Sequence, residues 1–251
     1  KAACASMDFG AISLFEGVGA PPDFNIHIDE LDLLRTERDP LNDQQYFHES
    51  ALNHHYALLV VDLREKYKKF CPAGHAPPLA ITNIGITPWL PPVNPVVHGL
   101  YTADATATMV ENGVYAVEWA PVHAPSPLLL DNNNQPQPAY FGLQILHKVA
   151  HVGDTFVPAT TPLDRLSVHA VKRRDGGLGL MFINKDPVQS ISVTVTVDGY
   201  NFAAKGTRYD WGKPGSDAGT SITEAPVDGL GGTFTVLVPR YSITALVIPK
   251  S

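Results

Sequence analysis

The chain has 251 residues, enough for one large domain or two smaller ones. Apolar residues make up 44% of it and charged residues 17%, which predicts a globular protein with a lightly charged surface. The formal net charge of −7 argues against nucleic acid or an anionic membrane as the main partner, and it favours a neutral ligand.

Hydropathy, the N-terminus and the number of cysteines further limit the class of protein. No apolar run approaches the ~18 residues that cross a bilayer. The first residues contain no initiator Met and no secretory hydrophobic region, so we expect Lys1 to be a processed end with sequence upstream of it. Cys4 and Cys71 are too few for a disulfide scaffold. One bridge in an exported protein and two free thiols both agree with this count.

In the first part of the chain, short apolar strands alternate with helices. The predicted strands cover residues 9–14, 24–28, 79–83 and 113–119. The predicted helices cover residues 42–70, 100–111 and 139–150. The longest helix has one apolar face, formed by residues spaced three or four apart: Leu52, Tyr56, Leu59, Leu63, Tyr67 and Phe70. Asn112 and Gly113 form a stop signal for the second helix.

Strands that alternate with helices predict a parallel sheet with crossover connections. Four such βα units make half of an eight-stranded barrel, and a whole barrel needs roughly 250 residues. Residues 1–154 are therefore predicted to form a half (β/α) barrel. Because an open half barrel exposes strand edges, we expect a second copy of the chain, a companion chain or another closing element.

Residues 155–251 are predicted to form an antiparallel β-sandwich. Apolar residues from Ile191 to Val197 alternate with Ser and Thr, as in a half-buried antiparallel strand. Asp175–Gly177 is a hairpin signal. The predicted strands cover residues 166–173, 178–184, 191–197, 206–211, 232–239 and 241–248. The fold class is thus α/β plus all-β.

Three strand patterns and the last hairpin carry a resemblance to a known family. Residues 23–28 contain His27 near a strand end, residues 78–83 follow a long helix and a Pro-rich loop, and residues 113–119 end in Trp119. In this order, and with the closing segment 238–247, they resemble the retaining glycoside hydrolases built on a (β/α)8 barrel with a C-terminal β-sandwich. The three strands are similar to the sixth, seventh and eighth of that barrel.

The resemblance implies hydrolysis of O-glycosyl bonds in a cleft at the strand carboxyl ends, in a secreted or periplasmic protein. Two departures bear on this activity. The seventh strand of the family typically ends Thr-Glu, with Glu as the nucleophile, whereas this chain has Thr82 and Asn83. The general acid belongs to the fourth strand, which the resemblance does not cover. An amide cannot form the usual glycosyl ester.

Glycoside cleavage needs two carboxyl groups, about 5–5.5 Å apart for retention or ~6.5–9.5 Å apart for inversion. The catalytic candidates are Glu118, Asp29 and Glu30. Glu118 ends a strand next to Trp119, and a carboxyl group beside a barrel lumen could act as the general acid. The alternative is an outward-facing Glu paired with a Lys or Arg of a helix. For Asp29 and Glu30 the alternative is a charge at a helix N-terminus.

The candidates for substrate binding are His27, Asn83, Trp89 and Trp119. The His and Asn side chains can hydrogen-bond sugar hydroxyls, and an indole face can pack against a sugar ring. The alternatives are a structural histidine and ordinary core packing. No metal or cofactor site is predicted, because His54 and His55 lie within a helix with no further ligand at a metal-binding spacing.

Three hypotheses remain open from the sequence. The chain is a glycoside hydrolase of the cellulase or hemicellulase type that acts on polysaccharide or oligosaccharide. Alternatively, it is a non-catalytic carbohydrate-binding protein or a degenerate relative, which the amide at position 83 favours. The third hypothesis is a fragment of a longer glycosidase, whose upstream half carries the general acid.

Overall fold

The computed structural model of the chain describes residues 10–16, 56–71, 77–86, 95–119, 122, 129–212 and 220–251. The chain divides into two compact units. The first unit comprises Lys1–Val93 with Ala105–Asn134, and the second comprises Asn94–Asp104 with Gln135–Ser251. The second unit therefore takes in more of the chain than the residues after 154.

The first unit contains a parallel sheet. Strand β1 (Gly10–Glu16) pairs with β2 (Leu79–Ile86), and β2 pairs with β3 (Ala116–Trp119). Leu79, Ala80, Ile81 and Ile84 of the central strand are buried. This nearly continuous apolar run is typical of a parallel strand covered on both faces. The parallel pairing predicted from strand–helix alternation is confirmed for these three strands.

Strands β1 and β2 pair directly, and three parallel strands succeed one another in the described part of this sheet. The further strand predicted at residues 24–28 lies outside the described residues, so it stays a prediction.

Helix α1 (Tyr56–Phe70) supports part of the predicted apolar face. Leu63 and Tyr67 of the predicted face are half-buried, and Val60, which was not part of that face, is fully buried. Phe70, however, is 60% exposed, so its place on the buried face was predicted wrongly. It is the last helical residue, and the Lys69 ammonium lies over its ring, 5.5 Å from the centroid. The earlier part of this predicted helix lies outside the described residues.

Helix α2 (Pro95–Glu111) ends as the sequence predicted. Gly113 has φ +84°, a conformation that favours glycine, and its N–H donates to the Val110 carbonyl at 2.8 Å. The Val114 N–H donates to the Met109 carbonyl at 3.0 Å, which completes a Schellman motif. Arg64 of α1 donates from Nη2 to the Gly113 carbonyl at 2.9 Å, so the helix end is tied to α1.

The second unit contains α3 (Pro138–Val149) and two antiparallel sheets. The larger sheet has the order β4-β5-β6-β11-β8-β9, and the smaller one pairs β10 with β7. The strands are β4 (Thr155–Val157), β5 (Leu166–Lys172), β6 (Leu178–Asn184), β7 (Ile191–Thr196), β8 (Lys205–Trp211), β9 (Thr223–Asp228), β10 (Thr233–Val238) and β11 (Ser242–Ile248).

One apolar cluster joins the two sheets. Leu180 and Phe182 of the larger sheet belong to it, as do Phe234 and Val236 of the smaller one. Side chains of β10 alternate between exposed and buried along the strand, which is the pattern of a strand with one face on a core. All six strands predicted after residue 154 are present. The hairpin is confirmed too, with Gly176 at φ +82°.

Helix α3 packs on the larger sheet against β6, β8 and β11. A close backbone approach holds α3 to the first turns of α2, since a Cβ added to Gly142 would overlap the Gly99 carbonyl oxygen. Trp211 lies against Gly99 and stacks on Phe141, with ring centroids 6.3 Å apart. Its indole is 1% exposed, so Trp211 belongs to the core of the second unit.

We expect the substitution Gly99→Ala to destabilise the chain. The added methyl would overlap the Trp211 ring and lie 2.6 Å from the Pro138 carbonyl oxygen. Overpacking of this kind costs about 1–3 kcal/mol. Urea unfolding followed by circular dichroism measures the loss. Gly232→Ala is the control, because a Cβ there meets nothing within 4 Å. Equal stability of both variants would contradict the close approach.

Candidate functional site

The carboxyl ends of the three parallel strands meet at one edge of the sheet. Glu16, Ile86 and Trp119 are the last residues of β1, β2 and β3. In parallel α/β folds, ligand sites lie at this edge, because loops carrying polar side chains follow each strand end. Among the described residues, the predicted candidates near this edge are Asn83, Glu118 and Trp119.

Strand β2 carries a bulge shortly before its end. On both sides of β2, two of its residues lie opposite one residue of the neighbouring strand. The pairs that flank the shift are Ser13–Thr82 and Phe15–Gly85 with β1, and Ile81–Val117 and Ile84–Trp119 with β3. Asn83 is the position that lies inside both intervals. A bulge turns a side chain away from strict alternation and is frequent beside functional sites.

Glu118 and Trp119 end the neighbouring strand. Glu118 is exposed, and no ion pair joins it to any of the described residues. The alternative in which Glu118 pairs with a Lys or Arg of a helix is therefore not supported by the described part of the chain. Ile84, next to Asn83, pairs with Trp119. Positions 83 and 118 thus lie on adjacent strands, about 4.8 Å apart in the pairing direction.

Trp119 is half-buried and anchored to a helix. Its indole Nε1 donates a hydrogen bond to Thr106 Oγ1 of α2 at 2.9 Å. The edge of the Trp119 indole that carries Nε1 is thus directed towards α2, and the exposed Glu118 precedes Trp119 in the strand.

Four of the predicted residues cannot be compared with the geometry. His27, Asp29, Glu30 and Trp89 lie outside the described residues, and the backbone of Asn83 is described without its side chain. The structure thus brings positions 83, 118 and 119 to one edge, and the catalytic and binding roles of all the candidates stay predictions.

The strongest electrostatic feature of the described residues was missed by sequence reasoning. Asp104 of α2 is completely buried in the second unit. Its Oδ2 lies 2.7 Å from Lys185 Nζ, and its Oδ1 lies 2.9 Å from His169 Nε2. An ionised carboxylate only accepts hydrogen bonds, so Nε2 of His169 carries the proton in this contact. His169 lies in β5, and Lys185 directly follows β6.

Two opposed effects determine the ionisation of this carboxyl group. Burial by itself raises the pKa of Asp104, but the charge of Lys185 and the hydrogen bond from His169 outweigh burial and hold the pKa well below its usual range. His169 is 1% exposed and Lys185 is 7% exposed. Because a substrate cannot reach these groups, we interpret the cluster as a structural contact between α2 and the sheet.

The described residues bear on three other predictions. They contain no group of three or more His, Cys, Asp or Glu side chains that could hold a metal ion. Their helices are all too short or too polar to span a bilayer.

Cys71 is buried and takes part in a disulfide. Of the two alternatives left by the sequence, a disulfide bridge and two free thiols, the structure therefore shows the bridge. The bonded partner lies outside the described residues.

No protein-family model matches the sequence, and no curated protein matches it. Solved structures do match its fold. A bifunctional glucanase-xylanase from a metagenome library has a TM-score of 0.67 and 20% identity over 96% of this chain. A family 44 xyloglucanase from Paenibacillus polymyxa has a TM-score of 0.67 and 18% identity over 97% of it.

A third match is the family 51 arabinofuranosidase from Xanthomonas axonopodis pv. citri, with a TM-score of 0.64 and 17% identity over 96% of this chain. All three are glycoside hydrolases, so the fold similarity expected from the strand patterns is confirmed. The chain spans about half the length of these structures: 44% of the first, 47% of the second and 53% of the third.

We expect Asp104→Asn to destabilise the native state at pH 7. The substitution leaves Lys185 buried without a countercharge, and breaking a buried pair costs about 3–5 kcal/mol. The folded-state pKa of Asp104 is lowered. The contribution of its charge is therefore complete above the unfolded value of about 3.9, and it is lost as the pH falls towards the folded pKa. Thermal unfolding between pH 3 and 7 measures both effects.

Asp164→Asn is the matched control, because Asp164 is exposed. The control should unfold like the parent chain. The stability difference between the parent and Asp104→Asn should shrink as the pH falls below about 4, where carboxylates become protonated. A difference that stays constant over this range would show that the carboxylate charge does not stabilise the native state.

Proposed function

We propose that the chain is a glycoside hydrolase of the cellulase or hemicellulase type, acting on polysaccharide or oligosaccharide. The observation that carries the proposal is the fold similarity to three glycoside hydrolases over 96–97% of the chain. The bulge at Asn83 beside the exposed Glu118 supports it, since both positions lie where parallel α/β folds bind ligands. The net charge of −7 suits a neutral sugar.

The architecture that we propose is a partial (β/α) barrel over residues 1–154, followed by a β-sandwich over residues 155–251. The parallel strands β1 to β3, with α1 and α2 between them, support the barrel. The two antiparallel sheets with a common apolar cluster support the sandwich. Of the four βα units predicted, the described residues contribute these three strands. A second copy or a companion chain would complete the barrel.

The proposed mechanism assigns proton transfer to Glu118. Its carboxyl group protonates the glycosidic oxygen as the bond to the anomeric carbon breaks, and the resulting carboxylate then accepts a proton from water. A second carboxylate, from Asp29, Glu30 or a partner chain, bonds to the anomeric carbon as the leaving group departs, and the oxygen of the deprotonated water then replaces it there. Asn83 is assigned a hydrogen bond to a sugar hydroxyl, because its neutral amide cannot act as the nucleophile. No cofactor is required.

The remaining binding roles and the location also belong to the proposal. His27 is assigned to a sugar hydroxyl, and Trp89 and Trp119 to the apolar faces of sugar rings. We propose a secreted or periplasmic protein. The disulfide of Cys71 supports this location, since disulfides persist in oxidising compartments.

We expect Glu118→Gln to lower kcat/KM on xyloglucan, xylan or β-glucan by about 10²–10⁴-fold, the usual contribution of a general acid. The loss should be smaller on a nitrophenyl glycoside, because this leaving group needs little protonation. Reducing-sugar and nitrophenol assays measure the two rates. Glu224→Gln, an isosteric change at an exposed strand residue of the second unit, is the control and should leave both rates unchanged.

Two results would contradict this assignment. Unchanged rates in Glu118→Gln would remove Glu118 from catalysis. Saturable oligosaccharide binding by the parent chain, with no release of reducing sugar from any of the polysaccharides, would favour the non-catalytic alternative instead.

We expect Trp119→Ala to weaken the binding of a xyloglucan oligosaccharide by about tenfold, the size of one aromatic packing contact. Thr106→Val is the matched control, because it removes the acceptor of the indole N–H but keeps the ring. Isothermal titration calorimetry measures both dissociation constants. If Trp119→Ala lowers the unfolding temperature and leaves binding unchanged, the residue is core packing and not a sugar platform.

A further inference from the structure

Two histidine side chains face each other at the end of α3. His147 lies in the last turn of this helix, and His151 follows the last helical residue by two positions. Both residues are exposed to solvent. Their ring centroids are 4.8 Å apart, and the ring planes are inclined by 79°. Neither ring belongs to the apolar cluster of the second unit or to the candidate site described above.

The separation of the two rings matches that of imidazoles that share one metal ion. An imidazole nitrogen binds Zn²⁺ at about 2.0–2.1 Å. With a coordination angle between a right angle and the tetrahedral value, two imidazoles on one ion have ring centroids about 4.5–5.2 Å apart. The observed 4.8 Å lies within this interval. The torsion χ2 of histidine is soft, so the exposed rings can turn a nitrogen each towards one ion without movement of the backbone.

The backbone that carries both rings is held in place. Arg173 Nη1 donates to the carbonyls of Lys148 and Val149 at 3.1 and 3.2 Å, which fixes the end of α3. The Asp154 N–H donates to the His151 carbonyl at 3.0 Å and closes a turn. The Asp154 carboxylate accepts a hydrogen bond from the His151 N–H at 2.8 Å. Because the two residues are ordered before an ion arrives, little conformational entropy is lost on binding.

Each ring has a nitrogen that an ion can reach. Within the described residues, no hydrogen bond occupies a ring nitrogen of His147. His151 Nδ1 lies 3.9 Å from Asp154 Oδ2, which is an electrostatic contact longer than a hydrogen bond. A carboxylate beside one nitrogen of an imidazole raises the basicity of the ring and leaves the other nitrogen for a metal. Nε2 of His151 is therefore the nitrogen suited to an ion.

The cations nearest to the pair have other partners. Lys148 Nζ lies over the Tyr209 ring, 5.2 Å from its centroid. Arg173 contacts the helix carbonyls through Nη1, and its Nε lies 3.2 Å from Asp175 Oδ2. The carboxylates of Asp154 and Asp175 both interact electrostatically with the second histidine of the pair. These two negative charges favour a cation at the pair.

We propose that His147 and His151 together bind one divalent transition-metal ion, with water completing its coordination. The described residues contain no group of three or more ligands, so the site is open and its ion exchanges with solution. Imidazole suits Zn²⁺, Ni²⁺ and Cu²⁺, whereas Mg²⁺ and Ca²⁺ take oxygen ligands. The bound ion links the last turn of α3 to the turn that precedes β4.

The test uses the untagged 251-residue chain and Zn²⁺ as the probe. We expect saturable binding of Zn²⁺ by isothermal titration calorimetry, saturable binding of Ni²⁺, and no binding of Mg²⁺ at the same concentration. Zn²⁺ should also raise the unfolding temperature, by an amount that grows with its concentration, because an ion that binds the folded chain stabilises it by mass action. NMR of the imidazole groups should show that Zn²⁺ shifts the resonances of both histidines in parallel.

His147→Gln and His151→Gln should each weaken Zn²⁺ binding by about tenfold or more. Loss of a residue that only orients a ligand costs about 10–100-fold in metal affinity, and loss of a ligand costs at least as much. Each substitution should also remove the rise in unfolding temperature. The matched control combines His54→Gln with His55→Gln, which removes two histidines that are adjacent in the sequence. Zn²⁺ binding should be unchanged in this control.

Three results would overturn the proposal. The first is an absence of saturable Zn²⁺ binding by the parent chain. The second is equal weakening by His147→Gln and by the control, which would assign the ion to histidines in general. The third is weakening by only one of the two single variants, since the rings would then not share the ion. The imidazole resonances of the parent chain decide the matter even if a variant loses stability.

Discussion

The second unit depends on a carboxylate that has no exposed surface. An ionised Asp104 is tolerated in the interior only while Lys185 and His169 stay within hydrogen-bonding distance, because an unpaired buried charge is far more costly than a paired one. This requirement fixes the middle of α2 against the middle of β5 and against the residue that follows β6. Five residues earlier, Gly99 brings the same helix against α3 and Trp211. The helix is therefore held at two points by contacts of different kinds.

Much of the regular structure could be predicted, because it is encoded by local patterns. Alternation identified β7, and the turn residues around Gly176 identified the hairpin of β5 and β6. The stop signal at Gly113 located the end of α2 to within two residues, since that glycine supplies the left-handed conformation of the cap. Two strands were missed: β4 is only three residues long, too short to show any period, and β9 is almost wholly exposed and contains Pro226.

The features that position the candidate site come from long-range pairing, which local patterns do not contain. The direct pairing of β1 with β2 depends on how the intervening chain is routed, and the bulge at Asn83 depends on both neighbours of β2. Asp104 looked like one polar residue in a helix rich in small side chains, with nothing nearby to mark its partners in β5 and after β6. Among the candidates in the described part of the chain, Glu118 and Trp119 lie at the strand end where the sequence predicted them.

The edges of the parallel sheet bear on the chemistry. Among the described residues, β1 and β3 each pair on one side only, so each presents a row of backbone groups that a stable protein must cover. A retaining site needs a second carboxyl group about 5–5.5 Å from the first, which is close to the spacing of one strand. On β2, the position next to Glu118 is Asn83, whose side chain is an amide and not a carboxylate. We therefore expect the element that covers the open edge of β3 to carry the second carboxylate.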